Sequence, residues 1–364
     1  MRHFLLVVCL CVSTGVMAQA NAQQLADSIV KYQMKSGGWA KNQNWLEGVD
    51  PMIAKEWKKT GIGATIDNGA TVSEMKALAK AADKVVEIKS SGFLRMDTKL
   101  LDEHLEKYRK AFIGGLNYLL KMQYPNGGFP QFYPLKSKED YSSQITFNEN
   151  AMVNVLQLLR DVANGAGEYR NIEIDKSMRK KCLAAYERGI ECILDCQIRV
   201  DDAGNVLAYG SDKWKNGKRT VWCQQHDKHT LAPVKGRSYE LPSYTGHGET
   251  VKIIELLMDV QSPSDDVKDA VKCAVEWLEA HAMKGVAVET FVDDEGREDI
   301  RLVEQEDAPL LWARVYDLEN AEPMYCDRDG VPVKKLSDIG YERRNGYRWV
   351  GDGPKRVIDR FYER

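Results

Sequence analysis

A helix–loop unit recurs along this chain, and the recurrence limits its fold more than any other feature. Tyr32-Gln33-Met34-Lys35-Ser36-Gly37-Gly38-Trp39 is echoed by Met122-Gln123-Tyr124-Pro125-Asn126-Gly127-Gly128-Phe129-Pro130. A fainter copy is Cys196-Gln197, followed by the turn Asp201-Asp202-Ala203-Gly204. Each copy closes a stretch of helical periodicity. Leu105, Tyr108, Ala111, Phe112, Leu116, Leu119 and Leu120 lead to the second, and Leu183, Tyr186, Ile190, Ile193 and Leu194 to the third. The glycine pairs release the chain from its helix, and the aromatic residue after them packs back on the core.

A second element alternates with the first. Asp67-Asn68-Gly69-Ala70-Thr71 leads into Met75, Leu78, Ala79, Ala82 and Val86. Thr146-Phe147-Asn148-Glu149-Asn150 leads into Met152, Val155, Leu156, Leu159 and Val162. Pro242-Ser243-Tyr244 leads, through Gly248 and Glu249, into Val251, Ile254, Leu257 and Met258. Each pair of elements makes a helical hairpin. Three hairpins closing in a ring give an all-α fold, an (α/α)3 toroid with long irregular loops and a few short strands. Further helices are expected over Asp265 to His281 and Asp307 to Leu318, and a strand over Val286 to Val292. Glu87 to Asp102 reads as a surface insertion.

The 364 residues carry 51 Lys and Arg against 54 Asp and Glu, a formal net charge of -3. That balance excludes a global basic field for nucleic acid. Charged residues at 29% exclude a polytopic membrane protein, and 43% hydrophobic residues exclude wholesale disorder. Arg2 and His3 precede an apolar run from Phe4 to Val12, and small residues follow at Ala18, Ala20 and Ala22. These are the parts of a cleavable leader over residues 1–20, too short to span a bilayer. The expectation is a single exported domain over 21–364, periplasmic or secreted, monomeric and without a membrane anchor. Of eight cysteines, Cys9 and Cys11 lie in the leader, and the others show no CxxC spacing. His226 and His229 form an HxxH with no third zinc ligand in view.

Four groups of residues carry potential chemistry. Asp67-Asn68 stands before a helix, where Asp or Asn is commonly only an N-cap. Asn148-Glu149-Asn150 has the same ambiguity. Carboxylate and amide oxygens from two such loops suit Ca2+, which takes oxygen ligands. Gly236-Arg237-Ser238-Tyr239-Glu240-Leu241-Pro242-Ser243 is the third group. The fourth holds Arg314 in Trp312-Ala313-Arg314-Val315-Tyr316 and Arg328 in Cys326-Asp327-Arg328-Asp329-Gly330. A lone arginine usually ends in a surface ion pair. One set among aromatic residues in an apolar helix suits carboxylate recognition.

The motif set resembles the family 10 polysaccharide lyases, which are pectate lyases. The resemblance rests on Gly37-Gly38-Trp39-Ala40-Lys41-Asn42, Asp67 to Thr71, Ile145-Thr146-Phe147-Asn148 with Ala151-Met152-Val153, and Trp222-Cys223-Gln224-Gln225-His226-Asp227. It continues through Arg237 to Ser243, Trp312 to Leu318, and Glu342-Arg343-Arg344-Asn345-Gly346-Tyr347. It implies the toroid counted above, and calcium-assisted β-elimination of polygalacturonate or pectin. By motif it places the catalytic base on Arg237. It places substrate contacts on Asp67, Arg314, Arg328, Lys41 and Tyr239, and metal ligands on Asn68, Glu149 and Asn150. The family's usual Asn-Asp stands here as Asn148-Glu149, one methylene longer.

The chemistry accounts for these residue types. The C5 proton of galacturonate is α to a carboxylate, so neutralising that carboxylate stabilises the enolate-like transition state. A base must then reach C5. Arginine has a pKa above about 12, and nearby cations are expected to lower it, which implies activity at alkaline pH. Two other readings compete. An inverting glycoside hydrolase would use two carboxylates such as Asp67 and Asp227. A non-catalytic polysaccharide-binding protein would use Trp39, Trp45, Trp214 and Trp222.

Overall fold

The computed structural model describes residues 21–91 and 98–363. Its helices are α1 over 21–32, α2 (Pro51–Thr60), α3 (Val72–Ser91), α4 (Thr98–Met122), α5 (Ala151–Ala163), α6 (Lys176–Cys196), α7 (Glu249–Met258), α8 (Asp265–Ala280), α9 (Tyr341–Asn345) and α10 (Gly353–Tyr362). Among the described residues every sheet is a two-stranded pair. The expected leader lies outside the described residues. No helix among those residues is long and apolar enough to cross a membrane.

The chain packs as two compact units. One comprises the residues up to Gln123 with Gln131–Lys136 and Asn154–Glu187. The other comprises Tyr124–Pro130, Ser137–Val153 and the chain from Arg188 onward. In the first unit α3 packs on α4. Met75, Leu78, Ala79 and Ala82 bury one face, and Leu105, Tyr108, Phe112, Leu116 and Leu119 bury the other. Each fully buried Leu or Phe contributes roughly 1.5–3 kcal/mol. Gly115 permits the approach, because a Cβ there would sit 2.6 Å from Met75 Sδ. In the second unit α7 packs on α8 through Val251, Ile254 and Leu257 and through Val267, Ala270, Ala274 and Leu278, all buried. Ser264 caps α8, its Oγ accepting from Val267 N–H at 3.3 Å.

The recurrent glutamines have a structural explanation. Gln33 donates its amide to Gly37 O at 2.7 Å and to Ala111 O of α4 at 2.8 Å. Gln123 donates to Ala185 O of α6 at 2.8 Å. Gln197 donates to Thr220 O and to Ala270 O of α8, both at 2.9 Å. Each copy therefore joins the end of one helix to a carbonyl of a later one. The aromatic residues after the turns repeat as well. Trp39, Trp222 and Trp312 are fully buried and donate their indole N–H to Ile29 O, Ile193 O and Leu278 O at 2.6–2.7 Å.

Three sequence expectations change. Asp307 to Leu318 is not a helix. Trp312–Ala313 pairs with Val350–Gly351, and Val315–Tyr316 with Tyr244–Thr245, both antiparallel. Pro309 and the apolar run after it imitate a helix start. The segment is instead a further copy of the Trp39 element, and pairing on both sides overrides local propensity. Glu87 to Asp102 is not an insertion where it is described, since α3 runs through Ser91 and α4 begins at Thr98. Leu183 does not belong to the buried stripe of α6, being 40% exposed. The helix expected from Asp265 ends within a residue of its expected limit, and the strand Val286–Val292 is found as expected, paired with Glu298–Glu304.

Candidate active site

Two loops share one unusual backbone. Asp67 follows Ile66 (φ -106, ψ 0), and Asn148 follows Phe147 (φ -97, ψ -15). The next residue is left-handed in both, Asn68 at φ 52, ψ 31 and Glu149 at φ 51, ψ 28. Gly69 and Asn150 then also take positive φ. A non-glycine residue with positive φ is uncommon and costs of order 1 kcal/mol or more. Neither Asp67 nor Asn148 is an N-cap of its helix, since each occupies a 3-10 turn ahead of it. The twist leaves the Asp67 and Asn148 side chains buried and turns Asn68 and Glu149 to the exterior.

In the first unit, Asp67 forms an ion pair with Lys41. Asp67 N–H donates to Thr65 Oγ1 at 3.0 Å, and Asn68 N–H to Asp67 Oδ1 at 3.1 Å. Thr71 completes the loop, accepting from Trp39 N–H at 3.1 Å and donating to Thr65 O at 2.8 Å. Asn68 donates to Asn42 Oδ1 at 3.1 Å.

In the second unit, Gln224 and Arg314 each stand two residues after the buried Trp222 and Trp312, as Lys41 does after Trp39. Their backbone carbonyls accept from Phe147 N–H and Gly246 N–H, each at 2.8 Å. Both side chains reach into the loops opposite. Gln224 donates to Asn148 Oδ1 at 3.2 Å and to Glu249 Oε1 at 3.1 Å. Arg314 lies 3.3 Å from Glu249 Oε1 and 3.5 Å from Glu149 Oε1. Its guanidinium sits 4.0 Å from the Tyr347 ring centroid. Burial alone would lower the pKa of Arg314, but Glu249, then Tyr347 and Glu149, more than offset it and raise it.

Arg237 is bound to Glu240. Its Nε donates to Glu240 Oε1 at 2.9 Å, a terminal nitrogen reaches the same oxygen, and Arg237 N–H donates to Oε2 at 2.8 Å. Glu240 is buried. Burial opposes the charge on Arg237, yet the hydrogen bonds and attraction of Glu240 outweigh it and hold the guanidinium above its usual pKa. The neighbouring groups therefore move Arg237 opposite to the expected lowering.

Tyr239 gathers three guanidinium groups, Arg237 at 5.0 Å, Arg343 at 4.4 Å and Arg328 at 5.8 Å from its centroid. Arg343 also lies 4.6 Å from the Tyr347 ring, and Tyr239 meets Tyr347 edge-on at 6.1 Å. Arg328 is exposed and pairs with Glu342 through two hydrogen bonds of 2.9 and 2.8 Å. The second unit thus brings Arg237, Tyr239, Arg314, Arg328, Glu149 and Asn150 onto one set of connected elements. Sequence reading assigned no role to Gln224, Glu240, Glu249, Arg343 or Tyr347. Glu249 was visible only as the residue after Gly248, where the third loop meets its helix.

The competing readings lose their residues. Asp227 Oδ1 accepts from His229 N–H, Thr230 N–H and Thr230 Oγ1, so it holds a turn. His226 is fully buried, accepting from Cys223 N–H at 3.0 Å through Nε2 and bonded to Leu231 O at 2.8 Å through Nδ1, which leaves no nitrogen for zinc. Trp39, Trp45 and Trp222 are buried. Trp214 is covered by Arg199 at 3.9 Å and Tyr209 at 4.7 Å. Three of the four therefore offer no stacking face, and the fourth already holds a guanidinium.

The loop Asn148–Asn150 fits a hard cation in its donor chemistry. Asn150 Oδ1 is buried with no hydrogen-bond donor, and the Glu149 side chain is 44% exposed. Among the described residues no three His, Cys, Asp or Glu side chains converge as a metal-binding group. The protein oxygens are therefore a partial set for Ca2+, which takes roughly 6–8 ligands.

A family model described as pectic acid lyase matches residues 33–358. Two solved structures are similar along almost the whole chain. One is a family 10 polysaccharide lyase from Cellvibrio cellulosa, at TM-score 0.71 and 29% identity, covering 95% of this chain and 94% of that one. The other is an aspartate-to-alanine mutant of a family 10 polysaccharide lyase from Cellvibrio cellulosa in complex with trigalacturonic acid, at TM-score 0.72 and 28% identity, covering 95% of both chains. Family 10 lyases have the α/α toroid expected from the repeat. No curated protein matches the chain with significance.

Proposed function

The chain belongs to the pectic acid lyase family, and from that premise we propose that it cleaves α-1,4-linked polygalacturonate by calcium-assisted β-elimination, releasing 4,5-unsaturated oligogalacturonides. It is a polysaccharide lyase by family and by its structural neighbours. The observation that carries the finer reading is the set of four guanidinium groups, on Arg237, Arg314, Arg328 and Arg343, gathered on the rings of Tyr239 and Tyr347. Guanidinium forks match carboxylates, so such a cluster suits a polyanionic ligand.

In this reading Arg314 holds the uronate carboxylate, with Tyr347 fixing the plane of its fork. Arg237, in its neutral guanidine form, takes the C5 proton and becomes the guanidinium. The C5–H electron pair becomes the C4–C5 double bond, and the glycosidic oxygen leaves C4 with its bonding pair. Glu240 orients Arg237 and holds its proton firmly, so the rate rises toward alkaline pH. Arg328, paired with the exposed Glu342, contacts substrate at the edge of the cluster. Glu149 and Asn150 would supply oxygens for Ca2+. The cation would neutralise the substrate carboxylate and so acidify the C5 proton. Residues 1–20 direct export of the protein, which acts as a monomer. An intact Met1 on protein from the native host, read by mass spectrometry, would overturn the export reading.

One incubation tests the reaction. With polygalacturonate and Ca2+, near-ultraviolet absorbance should grow as the conjugated double bond forms, and excess chelator should stop it. Chain shortening without absorbance would mean hydrolysis. Undiminished absorbance in chelator would remove calcium from the mechanism.

A further inference from the structure

The two arginines assigned to the reaction are joined by a continuous buried chain of polar groups. Arg314 meets Glu249 Oε1 at 3.3 Å. Gln224 Nε2 donates to that same oxygen at 3.1 Å and to Asn148 Oδ1 at 3.2 Å. Asn148 Nδ2 donates to Glu240 Oε1 at 3.4 Å, and Arg237 Nε donates to that oxygen at 2.9 Å. The four intermediate side chains, Glu249, Gln224, Asn148 and Glu240, are all buried, none more than 3% exposed. The order is cation, carboxylate, amide, amide, carboxylate, cation.

Burial decides which acid fixes Arg314. Glu149 has a side chain 44% exposed, so solvent screens its pairing. Glu249 has a side chain 3% exposed and faces Arg314 where screening is weak. The pair is also incompletely used. Glu249 Oε2 and Arg314 Nε are both buried and both lack a hydrogen-bond partner. Unmade hydrogen bonds of buried charged groups are costly, so each calls for an explanation.

We propose that Glu249 is the positioning residue for Arg314, and that Gln224 and Asn148 tie it to Glu240 so that the carboxylate-holding and proton-accepting guanidinium groups keep a fixed spacing. The inference rests on the lyase reading of the site. Glu249 touches neither substrate nor the reacting atoms. It acts by orienting Arg314, so its loss appears first in substrate binding. Gln224 serves both ends, so its loss appears in binding and in turnover.

The test uses Glu249→Gln, which removes the charge and keeps the shape, and Gln224→Met, which removes the shared amide and keeps the volume. Binding of trigalacturonic acid is measured by calorimetry, kcat and KM on polygalacturonate by absorbance, and folding by circular dichroism. Glu249→Gln should raise KM and weaken trigalacturonate binding about tenfold, with kcat changed by less than about threefold. Gln224→Met should weaken binding and lower kcat by about tenfold as well. If Glu249→Gln does not fold, Glu249→Asp, which draws the charge back by one methylene, should show the same rise in KM. Variants that melt earlier but keep wild-type affinity, KM and kcat per folded molecule would reduce the network to packing. Failure of the wild-type protein itself to bind trigalacturonic acid and to generate absorbance would overturn the lyase reading, and the inference with it.

Discussion

Arg237 and Glu240, three residues apart, are joined by side chain and backbone together, since Glu240 accepts from the Arg237 guanidinium through one oxygen and from its N–H through the other. The pair restricts the guanidinium to one orientation and stabilises its proton. Those effects pull in opposite directions for a base, because orientation aids proton transfer and a raised pKa delays it.

Replacing Glu240 by Gln separates the two. Glu240 is the strongest influence that raises the pKa of Arg237 against the opposing effect of burial. Removing its charge lowers that pKa, so the ascending limb of log kcat against pH should move to lower pH. The maximum should fall about tenfold, because the guanidinium loses its clamp. The profile is measured at fixed calcium. A limb that stays in place would mean that Arg237 is not the titrating group.

Arg314 and Arg328 should differ in what they cost. Arg314 is buried against Glu249, and its removal strands that carboxylate. Arg314→Ala should lose on the order of 3–5 kcal/mol of stability and raise KM sharply. Arg328 has a side chain 61% exposed, in a surface pair with Glu342. Arg328→Ala should change stability by less than about 1 kcal/mol and raise KM more modestly. Thermal melts with KM for both variants decide it, and equal melting losses would contradict the burial argument.

Much of this was legible because the repeat is local. Gln33, Gln123 and Gln197 mark helix ends in sequence, and each closes its helix by a hydrogen bond to a later one. Arg237, Arg314, Arg328 and Tyr239 could be singled out because they sit in distinctive motifs. The roles of Glu249 and Gln224 were not legible, because they arise only where segments distant in sequence meet. Gln224 meets Asn148 across 76 residues, and Arg314 meets Glu249 across 65. The segment after Pro309 was misread for the same reason. Its apolar run suits a helix, and only its antiparallel pairing with Gly351 and Thr245 makes it extended.

The buried histidines set an acid limit on stability. Burial, partly opposed by a hydrogen bond to Leu231, lowers the pKa of His226 from 6.5 to about 4. His247 is also lowered to about 4, by burial and then by Arg314. Both folded values lie below the unfolded one, so between pH 6.5 and about 4 the unfolded chain binds more protons. The contribution of these groups is fully present above pH 6.5 and is lost as pH drops through that window, by roughly 3 kcal/mol for each histidine. Melting temperature should decline over that range. His226→Gln, although less stable at neutral pH, should show a shallower decline. An unchanged slope would place the acid sensitivity elsewhere.

The assignment of the base is tested most directly at Arg237. The side chain is 40% exposed, and its main partner is the buried Glu240. Arg237→Ala should lower kcat by several orders of magnitude and leave trigalacturonate binding within about threefold, since the base acts on C5 only in the transition state. It also leaves Glu240 buried without its cation, so circular dichroism must confirm folding before kinetics are read. Arg237→Lys preserves the charge for Glu240 and separates stability from chemistry. A lysine cannot reproduce both guanidinium bonds to Glu240, and its ammonium would be placed differently from the arginine fork. It should therefore fold normally and remain nearly inactive at alkaline pH. Wild-type kcat in either variant would move the base to another residue, with Lys235 and Lys228 the next to be replaced.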